Sequence, residues 1–194
     1  MAADIDLQVG EKSMGNNDGN IINKLTQGQL HALFLNALSP AVTSHSDILQ
    51  KPLEIDLSPP LPQKIRLYIY NATHPPGGRT LGEHKIQLIV PDQQRGHRGS
   101  FDQTDGRIVL LAGYEPEFGV FILWDAGVYP KFTYSRNIQV RAETVYSGLA
   151  GKIGQQQRRI RGQGVETVLT TRATLLPKTI VQRMKLTRER LLKV

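Results

Sequence analysis

Arginine and glutamine recur beside glycine in two stretches of this chain, PDQQRGHRGSFDQTDG at 91–106 and GKIGQQQRRIRGQG at 151–164. These side chains meet base edges through paired hydrogen bonds, arginine on guanine and glutamine on adenine, while glycine lets a backbone approach phosphate. The candidate contacts are Gln93, Gln94, Arg95, His97 and Arg98 in the first stretch, and Gln155, Gln156, Gln157, Arg158, Arg159 and Arg161 in the second. Both stretches read as polar loops, the second between a helix and a strand. Long loops inside a domain are uncommon unless they are functional or disordered. A third segment, YPKFTYSRN at 129–137, interleaves Tyr129, Phe132 and Tyr134 with Lys131 and Arg136. Such mixing can stack an unpaired base while holding its phosphate, and it competes with the simpler use of aromatic rings as core.

Catalytic patterns are sparser. A Mg²⁺-dependent nuclease of the PD-(D/E)XK kind needs two carboxylates on the metal and a lysine on the phosphate. The chain has Pro91 and Asp92, and separately Glu83, His84 and Lys85, in the wrong order. Asp102, Asp105 and Glu117 are the acids left for a divergent site of that type, with no lysine at the required spacing. Mg²⁺ is the cofactor under that reading, and none is implied otherwise. The histidines at 31, 45, 74, 84 and 97 form no metal-binding pair, there is no cysteine, and no phosphate-loop motif occurs.

The elements that must position these residues read as α+β. Leu30, Leu33, Phe34 and Leu38 after Thr26 predict an N-terminal helix ending before Pro40, and LSPPLPQ at 57–63 predicts an extended connector. KIRLYIYN at 64–71 alternates like a half-buried strand. HKIQLIV, RIVLLAG, VFILWD and VETVLTT supply further strands, with FTY and IQV as shorter ones. The expected sheet is mainly antiparallel or mixed, of about five to six strands. AETVYSGLA at 142–150 and the segment from Pro177 predict the C-terminal helices. The expected organisation is a mobile segment at 1–22, a helical arm and Pro-rich connector at 23–63, and an α+β nucleic-acid-binding domain at 64–194.

Charge places the weight late in the chain. Residues 1–60 hold 3 Lys/Arg against 7 Asp/Glu, residues 61–130 hold 7 against 7, and residues 131–194 hold 14 against 3. Clustered cations gain entropy by releasing counterions from a polyanion, so the last third predicts DNA as the partner, double-stranded in the first instance. On the last helix Lys178, Arg183, Lys185, Arg188 and Arg190 are expected on phosphates or in solvent. No apolar run reaches a membrane span and the N-terminus MAADIDLQVGEK is polar, which predicts a cytoplasmic protein with no membrane partner.

The run DGRIVLLAGYEPEFGVFILWDAGVYPKFTYSRNIQV, followed by a helix, the Arg/Gln-rich stretch and a basic end, resembles an uncharacterised module found beside DNA methylases and in restriction–modification systems. The resemblance covers roughly residues 64 to 185 and carries no catalytic motif. It implies DNA recognition in bacterial restriction or defence, reading a site or its methylation state, with a methylase or nuclease as partner. Two alternatives stay open: a Mg²⁺-dependent restriction endonuclease, and a protein-interaction subunit with a basic face. A homodimer is also left open.

Overall fold

A capping box starts the first helix. Thr26 Oγ1 accepts from the Gln29 backbone N–H while Gln29 Oε1 accepts from the Thr26 N–H at 2.8 Å, which satisfies two end donors of α1 (Gln27–Leu38). The computed structural model describes residues 24–73 and 82–192. The N-terminal segment 1–22 and the expected turn at 74–78 lie outside them. In chain order the further elements are β1 (Val42–His45), β2 (Leu53–Leu57), β3 (Lys64–Asn71), β4 (Glu83–Leu88), β5 (Arg98–Gly99), β6 (Ile108–Glu115), β7 (Val120–Trp124), β8 (Phe132–Thr133) and β9 (Arg136–Arg141). They continue with α2 (Ala142–Leu149), β10 (Gly154–Ile160), β11 (Gly164–Arg172) and α3 (Leu176–Leu191).

Seven strands form one mixed sheet in the order β1-β2-β3-β6-β7-β11-β10, and β4–β9 and β5–β8 form two smaller sheets among the described residues. The fold is α+β. Among the described residues only β3 and β6 pair in parallel, Ile65 opposite Ile108 through Asn71 opposite Tyr114. A parallel pair needs a long crossover, and the chain between β3 and β6 carries β4 and β5 over one face of the sheet.

Both faces are covered. On one, α1 and α3 seal Ile65, Leu67, Ile69, Leu110, Phe121, Leu123 and Leu169 with Phe34 and Ile180. On the other, β4, β9 and α2 cover Tyr68, Tyr70, Leu111, Ile122, Trp124 and Val168. β3 is therefore buried from Ile65 to Tyr70 on both sides and not half-buried as its alternation predicts. Each large apolar side chain removed from water contributes roughly 1.5–3 kcal/mol before entropy is counted. Gly113 makes room for Trp124, since a Cβ there would lie 2.9 Å from both the indole and Ile86.

Residues 42–57, read from sequence as arm and connector, instead supply β1 and β2 of the main sheet, with Leu53, Ile55 and Leu57 pointing into the core. The 151–164 stretch is likewise not a loop. Gln155 to Ile160 pair with β11 residue by residue and turn back through Arg161, Gly162 and Gln163. No helix among the described residues is long and apolar enough to cross a membrane.

Candidate nucleic-acid interface

β10 and β11 form an antiparallel ribbon at the edge of the sheet, with Gln157 opposite Thr167 and Arg159 opposite Val165. β11 pairs with β7 only from Leu169 to Arg172, so towards the tip the two strands pair with each other alone. The tip is closed by the Gln163 N–H to the Ile160 carbonyl at 3.0 Å. Gly162 and Gly164 there adopt φ of +73° and +84°, a region glycine enters without strain. Strand alternation sorts the polar run. Gln155, Gln157 and Arg159 are exposed on the outer face, which turns towards α3 across a cleft lined by Gln157, Val165, Glu189 and Arg190; Arg161 and Gln163 follow, and Val165 beside Arg159 is 49% exposed. An edge strand of this composition also resists pairing with other sheets.

The inner face has other work. Gln156 Oε1 accepts from the Arg141 backbone N–H at 2.7 Å, which holds β10 to the start of α2. Arg158 Nε lies 2.6 Å from Oε2 of the fully buried Glu166, its Nη1 donates to the Gln139 carbonyl at 2.6 Å, and its Nη2 donates to the Tyr129 hydroxyl. That hydroxyl donates onward to Glu166 Oε2 at 2.7 Å, and the Asp125 N–H reaches Glu166 Oε1 at 3.1 Å. Burial, then the Glu166 charge, pushes the Tyr129 phenol well above its ordinary range, so it stays protonated.

Asp125 is the second buried carboxylate. It takes Arg190 Nε at 2.8 Å, Arg183 Nη2 at 3.4 Å and the Gly127 N–H at 3.0 Å. Arg183 is 2% exposed and also donates to the Thr167 carbonyl, so it is a core ion pair and not the expected phosphate contact. Burial lowers the Arg183 pKa against the opposing pull of Asp125. Arg158 is corrected in the same sense, because its guanidinium is committed to Glu166 and Tyr129. Arg188 is exposed but lines a separate cleft with Pro60, Leu61 and Val181 on the far side of α3.

The 91–106 stretch divides similarly. Gln93 is a staple: its Oε1 accepts from the Val90 N–H at 3.3 Å, and its Nε2 donates to the His97 and Phe132 carbonyls at 3.2 and 3.4 Å. Gln94, Arg95, His97 and Arg98 are exposed. β5 sets Arg98 opposite Thr133 of β8, two residues beyond the exposed Lys131. A cleft of about 440 Å³ opens along this ledge between Val90 and Ser100. Tyr129 and Phe132 are buried, at 0% and 1% exposed, and offer neither ring to a base, while Tyr134 is half-buried. Arg136 instead stacks 5.1 Å over the Tyr129 ring whose hydroxyl meets Arg158, joining the ledge to the ribbon.

The carboxylates expected for a nuclease are not brought together. Asp102 and Asp105 bind Arg66 at 2.6 and 3.2 Å, alongside Glu54 at 2.7 Å. Hydrogen bonds from Thr104, with Arg66 nearby, hold the Asp102 carboxyl below its ordinary value. These two acids precede β6 and Glu117 lies beyond its other end, and eight residues of strand span about 23 Å. No group of three potential metal ligands occurs among the described residues. Sequence reasoning missed Asp125 and Glu166, although Glu166, Val168 and Thr170 share one side of β11 and thereby mark an inward-facing acid.

Among known proteins, no curated relative and no solved structure matches the chain. A family model described as methylase-associated X1 does match, over residues 63–180, which takes in β3 through the first turn of α3 and thus both the ledge and the ribbon. On that match over more than half of its length, the chain belongs to the methylase-associated X1 family.

Proposed function

We propose that this methylase-associated module is a DNA-recognition unit of a restriction–modification or defence system, and that the β10–β11 ribbon enters the major groove. The observation that carries the reading is the outer face of the ribbon, where Gln155, Gln157, Arg159 and Arg161 are exposed in succession. Arg159 and Arg161 have no carboxylate in salt-bridge range among the described residues. A two-stranded ribbon fits a groove about 12 Å wide, and Arg and Gln are the residues that read purine edges there. Val165 on the same face offers an apolar contact to a pyrimidine 5-methyl group, the kind of contact that registers thymine or a methylated cytosine. Arg95, Arg98, Lys131 and Arg136 on the adjoining ledge supply phosphate contacts, and the ion pairs of Glu166 and Asp125 hold the ribbon at its angle.

The test is duplex binding across a salt series, with and without cytosine and adenine methylation. Arg159→Ala with Arg161→Ala is expected to weaken specific binding strongly. Arg95→Ala with Lys131→Ala is expected to weaken all duplexes alike and to shallow the log–log salt slope by roughly 0.9 for each phosphate no longer neutralised. Wild-type affinity and slope in both double variants removes the ribbon and the ledge from the interface. A second reading, a protein-interaction subunit, is favoured by the exposed Ile108, Val181, Leu191 and Leu192 around the far side of α3, at 41%, 43%, 60% and 79%. Absence of any duplex shift at low salt, with co-purification of a methylase abolished in Val181→Glu, favours it.

A further inference from the structure

A cleft of about 410 Å³ lies away from the ribbon, between the entry to α1, the β1–β2 connection and the outer side of β4. Lys24, Lys51 and Lys85 converge on it, with Thr73 and Gln87 between them, and no Asp or Glu lines it among the described residues. None of the three ammonium groups has a carboxylate in salt-bridge range among the described residues.

The backbone under each cation is fixed. Asn71 clamps Leu25 from both sides, accepting its N–H at 2.9 Å and donating to its carbonyl at 2.8 Å, which holds Lys24 at the mouth. Lys85 and Thr73 exchange both backbone hydrogen bonds at 3.0 Å. Lys51 lies 4.1 Å above the Tyr70 ring, and that ring is pinned by its hydroxyl donating to the Ile89 carbonyl at 3.1 Å. Burial lowers the Lys51 pKa to about 8. Three like charges gathered with no carboxylate in salt-bridge range among the described residues repel one another, and an anion relieves that cost. Lysine ammoniums bind phosphate as point charges, with the Thr73 hydroxyl and Gln87 amide able to donate to further oxygens.

From this arrangement we infer that the Lys24–Lys51–Lys85 cleft is a phosphoryl-binding site. The site stands independently of the ribbon, and only the identity of its ligand rests on the DNA reading. Lys85 and Gln87 lie opposite Gln139 and Asn137 on β9, the strand that begins at Arg136 of the ledge, and a duplex backbone is one source of the phosphoryl group. A small phosphorylated molecule is the other source of the same chemistry.

The experiment follows lysine side-chain NMR signals of the full chain, with Lys51 assigned by Lys51→Met, a variant that keeps an unbranched chain over Tyr70. Inorganic phosphate is expected to shift the Lys51 signal saturably and to raise its apparent pKa, and Lys85→Met is expected to weaken phosphate roughly tenfold, about one charge-assisted contact. Displacement of phosphate by a duplex identifies the DNA backbone as the source. Competition by a nucleoside 5′-monophosphate but not by a duplex identifies a small ligand. Either result upholds the site, and Arg159→Ala with Arg161→Ala should leave phosphate binding intact even where duplex binding is abolished. A phosphate response of the Lys51 signal that never saturates, or one unchanged in Lys85→Met protein with wild-type circular dichroism, overturns it.

Discussion

Glu166→Gln strips the negative charge from beneath the ribbon while preserving shape. The Glu166 carboxylate, 0% exposed, receives the Asp125 N–H at 3.1 Å, the Tyr129 hydroxyl at 2.7 Å and Arg158 Nε at 2.6 Å. Glutamine retains one acceptor oxygen, but its NH₂ group must face either the Asp125 N–H or the pair formed by Tyr129 and Arg158. Removing one partner of a buried ion pair costs about 3–5 kcal/mol. Arg158 is 19% exposed, so water takes part of the load and the lower end, about 3 kcal/mol, is expected. With an m value of about 2 kcal/mol/M, the urea midpoint falls by about 1.5 M. The assay is equilibrium urea unfolding followed by the fluorescence of the buried Trp124 and by circular dichroism. Arg158→Gln and the double variant complete a cycle, whose coupling is expected at roughly 1–3 kcal/mol. A midpoint shift corresponding to less than about 1 kcal/mol, or strict additivity, refutes the claim that this pair holds the ribbon.

Gly154→Ala should destabilise by roughly 1–3 kcal/mol in thermal or urea unfolding, because a Cβ there lies 2.5 Å from the Thr144 carbonyl and 2.3 Å from Thr170 Oγ1. Thr26→Ala should lose about 1 kcal/mol by removing half of the capping box, read from the same curves. Asp56 is held below its ordinary value by hydrogen bonds from Arg107 and Ser44, and Asp102 by those from Thr104 together with Arg66. Their folded pKa values lie below the unfolded ones, so their stabilisation is present above the unfolded carboxylate pKa and is lost as pH falls through the folded values. Thermal midpoints measured from pH 6 down to pH 3 should therefore fall less steeply in Asp56→Asn with Asp102→Asn than in the wild type. An identical slope contradicts it.

Apolar runs made much of this fold legible. Ile108–Gly113 and Val120–Trp124 are central strands as expected, and Gly151, at φ +77°, follows α2 where a helix stop was expected. β2 was legible in principle, since Leu53, Ile55 and Leu57 alternate with Glu54 and Asp56, but flanking prolines and acids obscured it. β10 could not be read from local signals, because Gln and Arg occupy both of its faces and only the partner strand makes it extended. The site shows the same limit. Arg158 and Arg159 are adjacent and chemically identical, yet one is locked to Glu166 and the other faces solvent. Register decides which is which, with Arg158 opposite Glu166 and Arg159 opposite Val165. The late excess of positive charge was countable, but Arg158, Arg183 and Arg190 spend part of it on Glu166 and Asp125. The outward-facing remainder includes Arg159 and Arg161 on the ribbon, Lys131 on the ledge, Arg141 and Lys152 on either side of α2, and Lys185 and Arg188 on α3.

Backbone hydrogen exchange with and without a bound duplex tests the central claim most directly. Groove entry by the ribbon predicts slowed exchange over residues 155–165, with smaller protection over 94–98 at the ledge. A duplex that binds the protein while leaving 155–165 unprotected contradicts the account.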